Sequence, residues 1–476
     1  MAHLKTVLLS KSEEDLIHGK SIECLREVGV RVDSESVLEL LEKNGAAVDY
    51  ENYGARISEE MVNAALETAP KKITLYGRDP INDLELPVSS YPYSVTNGTA
   101  VFVLDNNTGE YRQSTARDVA DVQKLADGLD GIDYLWPTLS ATDKPPQSQT
   151  LYELWISLEN SSKHFQGDAL HGAHNAQAQI ELAALIVGGR EELKKRPIIS
   201  MIVCPLAPLS FEQGAIESQV EFARAGVPIV SLSMSIGGLS TPITVAGMML
   251  SANAENLASL VITQAAETGA PHIYGSDSSP MDLRTGGINY GAPEFGILSC
   301  GMAQMARKYN LPSMTCGFSG FSIAGDERER MSDSLSTCFS SACHTDLTGG
   351  LGSIDDAKGI CFKQLLIDAY TWECCREYMK PIDITEEKLG LDAIKEVGPR
   401  GNFLTHPHTL KYLRNELIFW DEEKYEFLAM EKEEQMEKAR ELVNKILEEH
   451  QVTPLDESIV RKGYENIEAY EQKYAG

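Results

Sequence analysis

Short apolar runs alternate with amphipathic stretches through the middle of the chain, and that alternation predicts most of the fold. Strand-like runs stand at 133–135, 164–167, 198–204, 229–234, 272–275, 313–317 and 347–351. Helical spacing of apolar positions fills the gaps at 178–187, 210–225, 244–268, 293–309 and 357–378. Strand, polar loop and helix repeated this often imply a parallel sheet with crossover helices. The span 118–379 is close to the ~250 residues typical of a closed (β/α)8 barrel. Seven strands are legible and the eighth is left to an ambiguous run. A TIM barrel is therefore the first reading, with a doubly wound open sheet as the alternative.

The flanks follow other patterns. In 11–70, Leu16, Ile17, Ile22 and Leu25 keep helical spacing up to Gly29, Ser34 can cap a helix over 35–43, and Ser58 can cap the next, with Ile57 and Val62 as a hydrophobic staple. From 72 to 115 the pattern becomes strand-like, and the turn sequence of 105–109 between 100–104 and Tyr111 predicts a β-hairpin. Beyond 380 the chain is charged and helical, with a partial apolar stripe from Phe427 to Leu447 suited to packing on the barrel or on a partner subunit. This divides the chain into an N-terminal helical and hairpin extension (1–115), a barrel (116–380) and a C-terminal helical extension (381–476).

Charge narrows the partners. A formal net charge of -29 argues against a nucleic-acid groove or an anionic membrane surface. The N-terminal apolar run at 7–9 is too short for a signal-peptide core, and later runs are too short to span a bilayer, so a cytoplasmic protein is expected. Nine cysteines without a CxxC pair argue against a disulfide framework. His171 and His174 are spaced one helical turn apart, and His406 and His408 lie beyond the barrel; both pairs read as solvated loop histidines, and no metal site is expected. Residues 317–321 miss GxSxG at the last position, 350–355 lack the final glycine of a dinucleotide fingerprint, and no Walker sequence is present.

Candidate chemistry gathers where strands end. The loop of 275–296 carries Asp277, Asp282, Arg284, Asn289, Tyr290 and Glu294 directly after the strand of Ile273 and Tyr274, the position of a site in a parallel barrel. Aromatic residues form a second set: Tyr91 and Tyr93 in the hairpin region, and Phe211, Tyr274, Tyr290, Phe318 and Phe321 at or just after the openings of strands. As a group they suit a cage for a cation. A quaternary ammonium has no N–H to donate, so ring faces are the recognition left to it, each contributing ~0.5–2 kcal/mol.

Several stretches taken together resemble the trimethylamine methyltransferase family. They are LREVGVRV (25–32), LYGRDP (75–80), VFVLDNNTGEYRQST (101–115), SSKHFQG (161–167) and the 275–294 loop, in the family's order. The resemblance implies a TIM barrel and methyl transfer from an amine to the Co(I) of a corrinoid carried by a separate cognate protein, with no tightly bound cofactor in this chain. Founding members carry pyrrolysine in the barrel, whereas this chain has only standard residues. It is thus similar to the non-pyrrolysine branch, which demethylates glycine betaine, proline betaine, carnitine or γ-butyrobetaine. A quaternary nitrogen leaves as a neutral amine, so no general acid is needed, and cobalt is the nucleophile, so no catalytic side chain is expected. Similarity to the glycine-betaine members marks Tyr93 and His344 as pocket positions and places Leu351 where an aromatic is expected, which implies a bulkier betaine. Phe211, Tyr274, Tyr290 and Phe318 complete the expected substrate wall, and His344, Arg284 or Asn289 would meet the substrate's carboxylate. On this reading Asp277, Asp282 and Glu294 are structural. A homo-oligomer is expected. The alternatives are a metal-dependent barrel hydrolase and a non-catalytic betaine-binding subunit.

Overall fold

The computed structural model describes residues 6–318, 320, 327–413 and 422–474. Eight parallel strands close into a barrel: β1 (Tyr93–Thr96), β2 (Tyr134–Leu135), β3 (His164–Asp168), β4 (Ile199–Val203), β5 (Ile229–Ser233), β6 (His272–Ser276), β7 (Ser313–Thr315) and β8 (Leu347–Leu351). Closure is made where Leu347 of β8 stands opposite Tyr93 of β1. Each strand is followed by a helix that carries the chain back to the amino end, from Ala116–Asp127 after β1 to Phe362–Met379 after β8. The closed barrel is realised and the open sheet is not.

The seven expected strands all form, and the eighth is β1. It lies upstream of residue 116, so the barrel begins inside the stretch assigned to the N-terminal extension. Ser94 and Thr96 hid it from the apolar pattern. Both are fully buried, Ser94 donating to Gly131 O and Thr96 sharing a 2.7 Å hydrogen bond with Thr138. Hydroxyls at buried positions break the apolar run that marks a barrel strand, so this segment falls within the strand-like stretch of 72–115 without being assigned to the barrel.

Strands buried on both faces need apolar residues at odd and even positions alike. Inside the barrel, Val95, Tyr134, Ile202, Val230, Leu232, Ile273, Met314 and Leu347 form one cluster. An antiparallel hairpin, Ile73–Leu75 with Leu84–Leu86, adds its four apolar side chains to that cluster. Tyr76 N donates to Pro197 O, and His164 Nδ1 pairs with Tyr76 O at 2.9 Å, so the hairpin sits at the strands' amino ends. It plugs that end and leaves the carboxyl end for a site.

The N-terminal helices Lys11–Glu27, Glu35–Lys43 and Glu59–Thr68 pack on Val245–Ala266. Between them run short strands at Val30–Val32, Ala47–Asp49 and Gly54–Arg56, which the helical reading of 11–70 omitted; they pair with Ser210–Phe211 as a four-stranded sheet. Ser58 accepts the Met61 N–H at 3.3 Å as expected, whereas Ser34 donates its hydroxyl to Glu217 at 2.9 Å instead of capping its helix. Val245–Ala266 is long and apolar enough to cross a membrane, but 72% of its most apolar window is buried. It is a core helix clamped between the barrel and the N-terminal layer. The hairpin Phe102–Leu104 with Tyr111–Gln113 forms as predicted and joins Gly359–Cys361 and Ser353–Ile354 in a second four-stranded sheet. None of the nine cysteines is in a disulfide.

The C-terminal helices wrap the outside. Lys432–Glu449 packs on Phe362–Met379 and Ala116–Asp127, burying Ala439 and Val443. Glu457–Tyr474 packs on Gly172–Val187, and its Gly463 lies flat on the Trp155 ring, where a Cβ would come within 2.1 Å of ring carbons. Gly463→Val is expected to lever this helix off the barrel at a cost of roughly 3 kcal/mol. Thermal melting with limited proteolysis of the C-terminus will check this; an unchanged melt would mean that the contact is slack.

Candidate active site

The carboxyl ends of all eight strands meet around a cavity of about 340 Å³. Asn97, Gly98 and Thr99 follow β1, Trp136 follows β2 and Asp168 ends β3. Ile202 and Cys204 come from β4 and its end, Leu232 and Met234 from β5, Asp277 from β6, Cys316 and Phe318 from β7, and Gly350 from β8. Tyr290 reaches in from the loop after β6. Gly350 has φ +105° and lies against the Phe318 backbone, where a Cβ would stand 2.0 Å from Phe318 O. Only glycine allows that approach.

Strand alternation decides which side chains enter. On β6, Ile273 points into the barrel, and Asp277, four residues on, points the same way. Tyr274 is on the other face, donating its hydroxyl to Asn253 of Val245–Ala266 at 2.7 Å.

Two acids dominate the polar lining. Asp277 Oδ2 accepts the Tyr290 hydroxyl at 2.8 Å, while Oδ1 is buried and has no hydrogen-bond partner. Burial pushes the Asp277 carboxyl up to about 7 against the opposing hydrogen bonds of Tyr290 and Cys316. Asp168 accepts the Thr99 hydroxyl and is also raised by burial. The acids come from β3 and β6, three places apart in a ring of eight, and line the same cavity from different sides. The Cys204 and Cys316 thiols are pushed up by burial first and then by the neighbouring carboxylates, which keeps both protonated and poor as nucleophiles. Among the described residues no Lys, Arg or His lines the cavity.

Of the nine expected substrate residues, the structure brings Tyr290 and Phe318 together here. Phe318 is braced edge-on by Trp372 at 6.5 Å. The other seven lie elsewhere. Tyr274 and Leu351 face outward into the helix layer. Phe211 pairs with Val32 in the N-terminal sheet. Tyr93 begins β1, and His344 precedes β8, lining a separate cleft with Lys71, Arg307 and Asp346; both are at the amino end, opposite the cavity. Arg284 is exposed and paired with Asp282 at 2.9 Å. Asn289 braces its loop through its backbone, accepting from Ser279 Oγ at 2.6 Å. Phe321 lies outside the described residues. Asp277, read as structural, is a wall of the cavity.

Trp136, Asp168, Met234 and Cys316 were missed. The available signal was position: each stands at the end of a legible strand or one residue beyond it. The quoted stretch 161–167 stops one residue short of Asp168. The histidine pairs have local roles: His174 stacks on Tyr474 at 5.1 Å, and His406 accepts the His408 N–H at 3.1 Å. Among the described residues no group of three or more His, Cys, Asp or Glu is arranged to hold a metal ion.

A closed barrel with a mixed aromatic and acidic cavity at its strand ends defines a (β/α)8-barrel enzyme. Comparison with known proteins names the family. Residues 3–473 match the trimethylamine methyltransferase (MTTB) family; the chain belongs to it and is a methyltransferase. It is 31% identical over 469 residues to trimethylamine methyltransferase MttB of Desulfitobacterium hafniense DCB-2, covering 97% of this chain and 94% of that protein. It is 28% identical over 468 residues to a glycine betaine methyltransferase of D. hafniense Y51, covering 96% and 95%. The solved monomethylamine methyltransferase MtmB of Methanosarcina barkeri superposes with a TM-score of 0.51 at 11% identity, covering 94% of this chain and 96% of that one, a likeness of fold.

Proposed function

We propose that this protein moves a methyl group from a quaternary amine to the Co(I) of a corrinoid carried by a separate cognate protein. The observation that carries this reading is the cavity, which offers aromatic faces and two acids to a cation and, among the described residues, provides no activated nucleophile of its own. The glycine betaine methyltransferase among the relatives supports a quaternary substrate. Exposed Leu170, Leu206, Leu239, Ile243 and Leu283 stand on loops after β3 to β6. They form an apolar rim at the strands' carboxyl ends, which fits a docked partner that brings a large ring system to the mouth.

The docked corrinoid supplies the nucleophile. The protein's own residues hold and aim the substrate. Trp136, Tyr290 and Phe318 contact the methyl groups through ring faces and edges, while Ile202, Leu232 and Met234 keep water from the N–CH3 bond. The positive charge vanishes as the amine leaves, so tight pairing with a carboxylate would favour the ground state. Asp277 is a tempered anion, half-neutralised near pH 7, and its pairing is correspondingly moderate.

Mixing the purified protein with cob(I)alamin and tetramethylammonium, choline or glycine betaine is expected to yield methylcobalamin, read from its absorbance. No transfer from any quaternary amine would overturn the proposal.

A further inference from the structure

The cavity also constrains the part of the substrate that is not methylated. A betaine carries a carboxylate, which needs a cation or converging N–H donors once buried. The residues that the family resemblance offered for that task are elsewhere: His344 at the amino end, Arg284 in solvent with Asp282, and Asn289 braced in its loop. Asp168 and Asp277 instead both line the space, from strands three places apart in the ring. A substrate carboxylate would add a third carboxyl group to a lining that already has two and that, among the described residues, contains no cation.

The two sides of the cavity differ. The β5 to β7 side has Leu232, Met234, Tyr290 and Phe318 around Asp277, whose buried Oδ1 has no hydrogen-bond partner. That side suits an alkylated ammonium, which is apolar outside and charged within. The β1 to β3 side has Asn97, Thr99 and Asp168. Thr99 already donates to Asp168, and Asn97 uses its amide to hold Ala357 O at 3.2 Å. This side can accept a hydrogen bond from a ligand through Asp168 and repels an anion.

We propose that the substrate is a quaternary amino alcohol of the choline type, with its ammonium toward Asp277, Tyr290 and Phe318 and its hydroxyl donating to Asp168. The inference rests on the methyl-transfer reading above and narrows its substrate class. In the step, one C–N bond breaks with its electron pair staying on nitrogen. Choline then leaves as neutral dimethylaminoethanol, and the methyl carbon bonds through the electron pair of the docked corrinoid's Co(I). No further oxidant, reductant or proton is needed.

Choline and glycine betaine share the trimethylammonium head and differ in the tail, so they test the inference directly. Methyl transfer to cob(I)alamin is measured with choline, glycine betaine, tetramethylammonium and trimethylamine, for the wild-type protein and Asp168→Asn. The wild type is expected to use choline with a kcat/KM ~100-fold above that for glycine betaine, since a site built for a donor tail leaves an anion unpaired. Asp168→Asn is expected to narrow that ratio ~10-fold or more, lowering choline use and raising betaine use. Thermal stabilisation of the wild-type protein by each amine, without cobalamin, reports the same preference if the variant fails to fold. Glycine betaine used as well as choline or better, or tetramethylammonium alone, overturns the inference and leaves quaternary-amine methyl transfer standing. Transfer from none of the four, or from trimethylamine alone, overturns the underlying reading.

Discussion

Asp277→Asn will raise the KM for tetramethylammonium about 10-fold or more and leave kcat unchanged or higher. A carboxylate a few ångströms from a cation in a partly desolvated cavity is worth on the order of 1–2 kcal/mol of ground-state binding. That charge is not needed when the ammonium becomes a neutral amine, so its removal weakens binding more than it slows transfer. Burial sets the Asp277 carboxyl at about 7, so in the wild type KM should fall as pH rises from 6 to 8 and the acid ionises. In the variant that slope should vanish. Stability should move the other way. A carboxyl raised from 3.8 to about 7 on folding binds its proton more tightly in the folded state. Its contribution to stability therefore falls as pH rises from about 4 to 7 and stays low above that. The neutral amide can still accept the Tyr290 hydroxyl, so the variant should melt higher than the wild type at pH 8. A variant with lower melting temperature and unchanged KM would assign Asp277 a purely structural role.

Lys163→Met will be among the most destabilising single changes in the barrel. The ammonium is buried and donates to three carbonyls, Ala126 O at 2.8 Å, Leu129 O at 2.9 Å and Ile132 O at 2.6 Å. These belong to the last turn of Ala116–Asp127 and the chain leading into β2. Lysine at a helix carboxyl end also meets the negative end of the helix dipole. Burial lowers its pKa to about 8, while Asp127, Asp133 and Asp130 nearby oppose that shift, so at pH 7 it remains charged. Methionine fills the volume but removes three charge-assisted hydrogen bonds; Ala126 O and Leu129 O keep the backbone N–H groups of Leu129 and Ile132, and the loss is roughly 3 kcal/mol. Chemical denaturation at pH 7 checks this. A loss under 1 kcal/mol would show that water or a shift of the loop replaces the ammonium.

The hydrophobic pattern by itself determined the barrel. Alternation of apolar runs with helical spacing located β2 to β8, and the turn at 105–109 located the hairpin after β1. Those signals are local, a strand's apolar run or a turn's residue choice, and survive without knowledge of the fold. The ordered motifs along the chain likewise pointed to its family, which the match over residues 3–473 establishes. The tertiary structure alone decided the cavity. In a strand buried on both faces the pattern carries no parity, so Tyr274 facing the helices and Asp277 facing the cavity were indistinguishable in the text of the loop. Nor does a sequence show which end of a closed barrel is plugged. Tyr93 and His344 belong to strand starts, and the hairpin at 73–86 seals that end, so two expected pocket residues are a barrel's length from the site. Asp168 and Asp277 are 109 positions apart in the chain and become neighbours across one space only because eight strands close into a ring.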